Sequence, residues 1–154
     1  MVYEWKQNRY PVSAQVAGEY LDQLSQREGG VLAEKLVKES EPEEAVLHDC
    51  FEWQDNVAAR KYRESQARTL LKNLVTVNVL QGNESKISSF VSVHIGEQKE
   101  NKRYLPISVA MNDEKLKEQV MREALNELNL FKNKYSNIEE FAKLFQAIDD
   151  LRIA

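Results

Sequence analysis

Three groups of residues in this chain could do chemistry. His48-Asp49-Cys50 sets an imidazole beside a thiol, and a thiolate activated by a neighbouring base is a nucleophile. Adjacent side chains rarely aim at one point, however. The plainer reading has His48 or Asp49 bonding backbone ahead of the next helix, with Cys50 packed as a small apolar group. The acids form the second group. Glu39, Glu41, Glu43 and Glu44 crowd a helix start, and others are scattered near the C-terminus, where carboxylates are ordinarily solvated. A metal-dependent nuclease needs Asp and Glu converging from strand ends, and the strand-like stretches carry hardly any. The third group is cationic: Arg60, Lys61, Arg63, Arg68 and Lys72 stand against Glu64 alone. Five cations less one acid give a local +4 in a chain of net −4, so the remainder carries −8. On one helix, Arg60, Lys61, Arg68 and Lys72 would reach phosphates, and Arg63 or Gln66 would read a base edge in a major groove. The alternative is a solvated face paired with the acidic remainder; Arg60 and Glu64 already stand at i, i+4.

Composition narrows the classes. The 154 residues fit a single domain, with residues 1–74 as a helical lobe with an N-terminal arm and 75–154 as a sheet with a helical hairpin. Hydrophobic content of 42% and charged content of 30% are ordinary for a folded chain. A pI near 5.4 argues against non-specific coating of nucleic acid, which needs a broadly positive surface, so any anion binding is local. The single Cys50 excludes an internal disulfide, and with only His48 and His94 there is no Cys/His zinc spacing. Gly29-Gly30 lacks a following Lys-Ser/Thr and follows no strand, so it is no phosphate loop. These readings predict no metal and no cofactor. No run of about 18 apolar residues exists, and Met1 to Lys6 is too charged for a signal peptide, which predicts an intracellular chain without a membrane partner.

The elements that must position these residues follow from periodicity. Tyr3, Trp5 and Tyr10 lie on an extended arm before Pro11, docking on the body or on a partner. Ser13 caps a helix over Ala14 to Glu28 with a stripe of Ala17, Tyr20, Leu21 and Leu24, and Gly29-Gly30 stops it. Val31 to Glu39 reads as a second helix, and Pro42 opens a short helical piece through Leu47. Asp55 caps the basic helix, which runs to Leu74 with Val57, Ala59, Tyr62, Gln66, Leu70 and Leu74 inward. The period then changes to two. Val75 to Val79, Ile87 to Ile95 and Arg103 to Ala110 read as an antiparallel three-stranded meander, the last placed at an edge by Pro106. The loop Glu97 to Arg103 reads as a solvated turn or a wing. Asn112 or Asp113 caps a long helix with Leu116, Val120, Met121, Ala124, Leu125, Leu128, Phe131 and Tyr135 along one stripe. Ser136 and Glu139 form a capping box for a last helix carrying Phe141, Leu144, Phe145, Ile148 and Leu151. The expected class is α+β: a helical N-terminal part, a three-stranded antiparallel meander, and two C-terminal helices able to cover one sheet face.

The residues Leu47-His48-Asp49-Cys50-Phe51-Glu52-Trp53-Gln54-Asp55, then Ala58-Ala59, Tyr62-Arg63 and Gln66-Ala67-Arg68, carry a resemblance. With Gly30 to Val37 before them, they resemble a group of small proteins encoded in bacteriophages and prophages. The match covers about residues 13 to 74. Gln54 stands where the group would have an acid. The resemblance implies a phage or prophage product acting in the cytoplasm of an infected cell, where small proteins of this kind work on DNA replication, recombination, packaging or host control. The leading expectation is a non-enzymatic accessory protein that binds DNA, or a DNA-bound assembly, through the basic helix. The competing expectation is an adaptor for phage or host proteins, or a homo-oligomer, using the aromatic arm at Tyr3, Trp5 and Tyr10 and the apolar C-terminal helices.

Overall fold

Ser13 begins the first helix as its sequence requires: its Oγ accepts from the Val16 amide at 3.3 Å, and α1 spans Ala14–Glu28. Ala17, Leu21 and Leu24 are buried along one face, with Tyr20 half-buried beside them. At the far end Gly29 takes the left-handed conformation (φ 66°), its amide returning to the Ser25 carbonyl. Arg103 closes this terminus by donating to the carbonyls of Glu28 and Gly29. Val31, read as the start of a second helix, instead exchanges both backbone hydrogen bonds with Tyr104, at 2.7 and 2.9 Å. Helix α2 therefore begins two residues later, at Ala33–Glu39, with Leu36 fully buried.

The computed structural model describes residues 1–53, 57–96 and 102–151. Asp55, the expected cap of the basic helix, lies outside them, as does most of the expected wing. The piece expected to be helical after Pro42 is a pair of turns leading into a single 3₁₀ turn at His48–Cys50. The basic helix follows as α3, Val57–Asn73. Ala67, Leu70 and Leu71 are fully buried on it and pack with α1, α2, Leu47 and Phe51 into one core.

The protein has mixed helix and strand, with an N-terminal helical part, a three-stranded antiparallel sheet and C-terminal helices. The membership of that sheet differs from the expected meander. The N-terminal arm is strand β1 (Val2–Trp5), and it pairs antiparallel with β2 (Leu74–Leu80), Trp5 opposite Leu74. On its other side β2 pairs with β3 (Asn83–Ser88) across a turn in which Gln81 and Gly82 have positive φ. The long strand expected from Ile87 to Ile95 breaks at Ser89, where the chain changes sheets. The Ser89 amide donates to the Leu74 carbonyl at 3.1 Å, and its own carbonyl accepts from the Ile107 amide at 2.9 Å. Beyond it, among the described residues, β4 (Phe90–His94) pairs only with β5 (Lys102–Pro106). The strand expected to reach Ala110 ends at Pro106, after which Ile107–Asn112 is a short helix, α4. Alternation of Leu105, Ile107 and Val109 misled the reading: Ile107 is half-buried and Ala110 fully buried, a helical spacing of three, while Val109 is exposed.

By contact the chain divides into Met1–Val109 and Ala110–Ala154. Within the first unit β1 and β2 join the arm to the sheet, across the expected lobe boundary at Leu74. In the second unit Asp113 caps α5 (Glu114–Lys134), accepting from Leu116 at 2.9 Å. The expected capping box does not form, since Ser136 Oγ turns back to the Asn133 carbonyl. A 3₁₀ turn at Glu139–Phe141 leads instead into α6 (Ala142–Asp150). Phe131, Phe141 and Phe145 contact one another with centroids 6.0 to 6.5 Å apart, and Lys132 pairs with Asp149. No residue of α5 is buried, so its apolar stripe is not the core face that its period suggested. Among the described residues no helix is long and apolar enough to cross a membrane.

Candidate nucleic-acid interface

Helix α3 sorts its cations by angle. Its buried side is set by Ala67, Leu70, Leu71 and the following Leu74. At 100° per residue, Lys61, Ser65, Arg68 and Lys72 fall on one ridge on the other side, and all four are exposed. The ridge from Lys61 to Lys72 runs about 16 Å, on the order of five phosphates at the 3.4 Å spacing of one duplex strand. Among the described residues Lys61 and Lys72 have no ion-pair partner. Arg68 pairs with Glu64 at 3.3 Å and Arg60 with Glu34 at 3.2 Å, both at the surface. Exposed pairs of this kind are worth about 0–1 kcal/mol, which a phosphate can displace.

Arg63 does not belong to this surface. It is only 8% exposed; its Nη1 donates to the Glu52 carbonyl at 3.1 Å and its guanidinium lies 5.1 Å from the centroid of Trp53. The base-reading role expected of it is not available in this position. Arg63 instead holds the segment before α3 in place, and Trp53, His48 and Gln66 do the same work. Trp53 donates its indole N–H to the His48 carbonyl at 2.9 Å and stacks on the His48 ring, centroids 5.0 Å apart. Gln66 Oε1 accepts from the Glu52 amide at 3.3 Å. His48 Nδ1 sits 3.0 Å from the Ser40 carbonyl, which can only accept, so that nitrogen carries the proton.

The arm residues are committed to the fold as well. Tyr3 is 7% exposed in the core, and Trp5 donates to the Val12 carbonyl at 2.9 Å while its ring meets Tyr10 at 4.5 Å. Of the two dockings expected for the arm, on the body or on a partner, the body takes Tyr3 and Trp5. Tyr10 is half-buried, in contact with Trp5 and Arg9. With Arg9 and Pro11 it forms one wall of a groove of about 350 Å³, whose other wall is Tyr62, Ser65, Gln66 and Thr69 of α3, with Asp49 and Cys50 between them. Arg9 lies over the Tyr10 ring, 5.6 Å from its centroid. The groove adjoins the ridge, sharing Ser65 with it.

Sequence reasoning missed this groove because Tyr62 was assigned to the buried face. Tyr62, Gln66, Leu70 and Leu74 are a row of i, i+4 neighbours, and such a row drifts about 40° per step. Leu70 and Leu74 are buried, Gln66 is half-buried, and Tyr62, about 120° round from Leu74, is 58% exposed.

His48 and Cys50 serve separate contacts, as the plainer reading expected. Burial pushes the Cys50 thiol up to about 11, with Asp49 adding to the effect against a Val12 backbone hydrogen bond. Folding thus holds the proton on a thiol that the unfolded chain loses near pH 9, its ordinary value. The sign follows: this contribution to stability is complete below pH 9 and falls as pH rises towards 11, by on the order of 2–3 kcal/mol. Urea unfolding at pH 8 and 10 should show the fall, and Cys50→Ala should flatten it; an identical fall in that variant would remove the thiol as its cause. Among the described residues no three His, Cys, Asp or Glu side chains gather where a metal ion could sit.

Comparison with protein-family models, with curated proteins and with solved structures finds no match to this chain.

Proposed function

We propose that this chain is a non-enzymatic phage or prophage accessory protein, acting in the host cytoplasm, that binds DNA or a DNA-bound assembly through α3. The observation that carries the reading is the exposed ridge of Lys61, Arg68 and Lys72 on a protein whose net charge is −4. Three cations on one ridge give phosphate a local target, and the acidity elsewhere confines nucleic acid to it. The resemblance of residues 13–74 to phage and prophage proteins supports the context.

The test is binding to labelled duplex and single-stranded DNA across a salt series. Affinity should fall steeply with salt. Exchanging Lys61 and Arg68 for Glu should abolish binding and leave the fold intact, since both side chains are exposed; the two new repulsions with Glu64 and the lost Arg68–Glu64 pair each cost only about 0.2–0.5 kcal/mol. Wild-type affinity in that double variant would sink the reading.

A second reading, an adaptor or homo-oligomer without direct DNA contact, is favoured by α5. Met121, Leu128 and Phe131 remain 38–44% exposed on one side of it, and Leu130 is 68% exposed. On this reading the solution mass exceeds 17.9 kDa and returns to it when Leu128 is replaced by Asp. A strict monomer indifferent to the substitution counts against self-association.

A further inference from the structure

Arg63, expected to read a base edge from α3, is withdrawn into the core, and Gln66, the other residue expected to do so, is half-buried with its Oε1 held by the Glu52 amide. The open aromatic surface lies instead beside the ridge, in the groove between the arm and α3. Tyr62 is 58% exposed on one wall, and Tyr10, backed by Trp5 at 4.5 Å, stands on the other. We infer that this groove takes an unpaired nucleobase of single-stranded DNA while the Lys61–Arg68–Lys72 ridge follows its phosphates. The inference rests on the proposed DNA-binding reading and specifies its substrate.

The chemistry of the groove fits a base better than a second protein segment. Unstacked bases bind on aromatic faces flanked by a cationic track, and every base offers a π-face, so such a site tolerates sequence. Arg9 extends the positive track across the groove mouth and supplies a planar cation over Tyr10. Arg9, Asp49, Ser65 and Thr69 are the exposed polar residues of the lining, with Thr69 Oγ1 donating to the Ser65 carbonyl at 2.9 Å. Among the described residues Asp49 is the one acid lining the groove. It repels a phosphate but accepts from an exocyclic amine, so it assigns the groove to the base and leaves the phosphates to the ridge. A duplex keeps its bases stacked and paired, so none can enter.

Binding of a labelled oligodeoxynucleotide, its complementary duplex and the matching oligoribonucleotide is measured for the wild type, Tyr62→Ala, Tyr62→Phe and the Lys61→Glu, Arg68→Glu protein. The single DNA strand should bind more tightly than the duplex or the RNA. Tyr62→Ala should weaken single-strand binding roughly ten- to hundredfold at every salt concentration, leaving the salt dependence unchanged, and Tyr62→Phe should restore it. The exposure of Tyr62 leaves the fold undisturbed, which thermal unfolding verifies. Full single-strand affinity in folded Tyr62→Ala, or tighter binding of duplex or RNA, overturns the inference. If the charge-reversed protein still loses binding while Tyr62→Ala does not, the groove fails and the ridge stands; if charge reversal has no effect, both fall.

Discussion

Replacing Gly18 by valine should destabilise the first unit by about 3 kcal/mol or more. Gly18 is buried in α1 with the Tyr3 ring laid directly over it. A Cβ built there would come within 2.7 Å of Tyr3 Cδ1 and closer still to Cγ and Cδ2. Cγ is the root of the ring, so rotation of the ring cannot relieve the overlap. The strand cannot easily give way either, because Tyr3 lies opposite Thr76 in a ladder that runs from Val2 to Trp5. Two effects compete for alanine at this position. Helix propensity favours it over glycine by about 1 kcal/mol, and overpacking costs about 1–3 kcal/mol. At so close an approach overpacking should win, so Gly18→Ala loses up to about 2 kcal/mol and Gly18→Val, with two more methyl groups, loses the larger amount. Urea midpoints of the two variants decide it: a stabilised Gly18→Ala would mean that Tyr3 does not seat on α1.

Arg63→Glu should be comparably damaging, by about 3–5 kcal/mol, because it reverses a charge inside a packed site. The guanidinium satisfies the Glu52 carbonyl and covers Trp53, whose own indole fixes His48. A carboxylate in its place could accept but not donate, leaving that carbonyl without its partner and a buried charge uncompensated. Arg63→Met keeps most of the stem's packing and should lose less, about 1–3 kcal/mol. The pair also separates fold from binding. If Arg63 were a base contact, both variants would unfold like the wild type and bind DNA more weakly; the structure predicts reduced unfolding midpoints for both.

The two residues show what was legible and what was not. The helix was plain from Asp55 to Leu74, and Val57–Asn73 is helical, because its period and its lack of breakers are local properties. Arg63 was read as exposed from its charge, although it stands four and seven residues before buried Ala67 and Leu70 and so shares their face. Angle outweighed residue type, and the stem of an arginine packs as readily as a leucine once the head finds a carbonyl. The N-terminal arm was read as extended, but nothing local marks its partner, since the pairing of Trp5 with Leu74 is fixed by the core and not by a turn. Ser89 was likewise hidden in a run of alternating residues. Its change of sheet is set by hydrogen bonds to Leu74 and Ile107, both distant in sequence. The ridge was in the charge pattern from the start; the groove needed the arm, the 3₁₀ turn and α3 brought together.

The pairing of β1 with β2 has a consequence for synthesis. Trp5 is made roughly 70 residues before Leu74, and at about 5–20 residues per second β1 waits on the order of 4–14 s for the strand that completes its ladder. α1 forms within that interval, and Tyr3 can settle on Gly18, but the edge of β1 that pairs with β2 keeps its backbone groups unsatisfied until β2 arrives. The nascent chain therefore carries an open strand edge while residues 6 to 73 are added, and slower translation of that stretch lengthens the exposure.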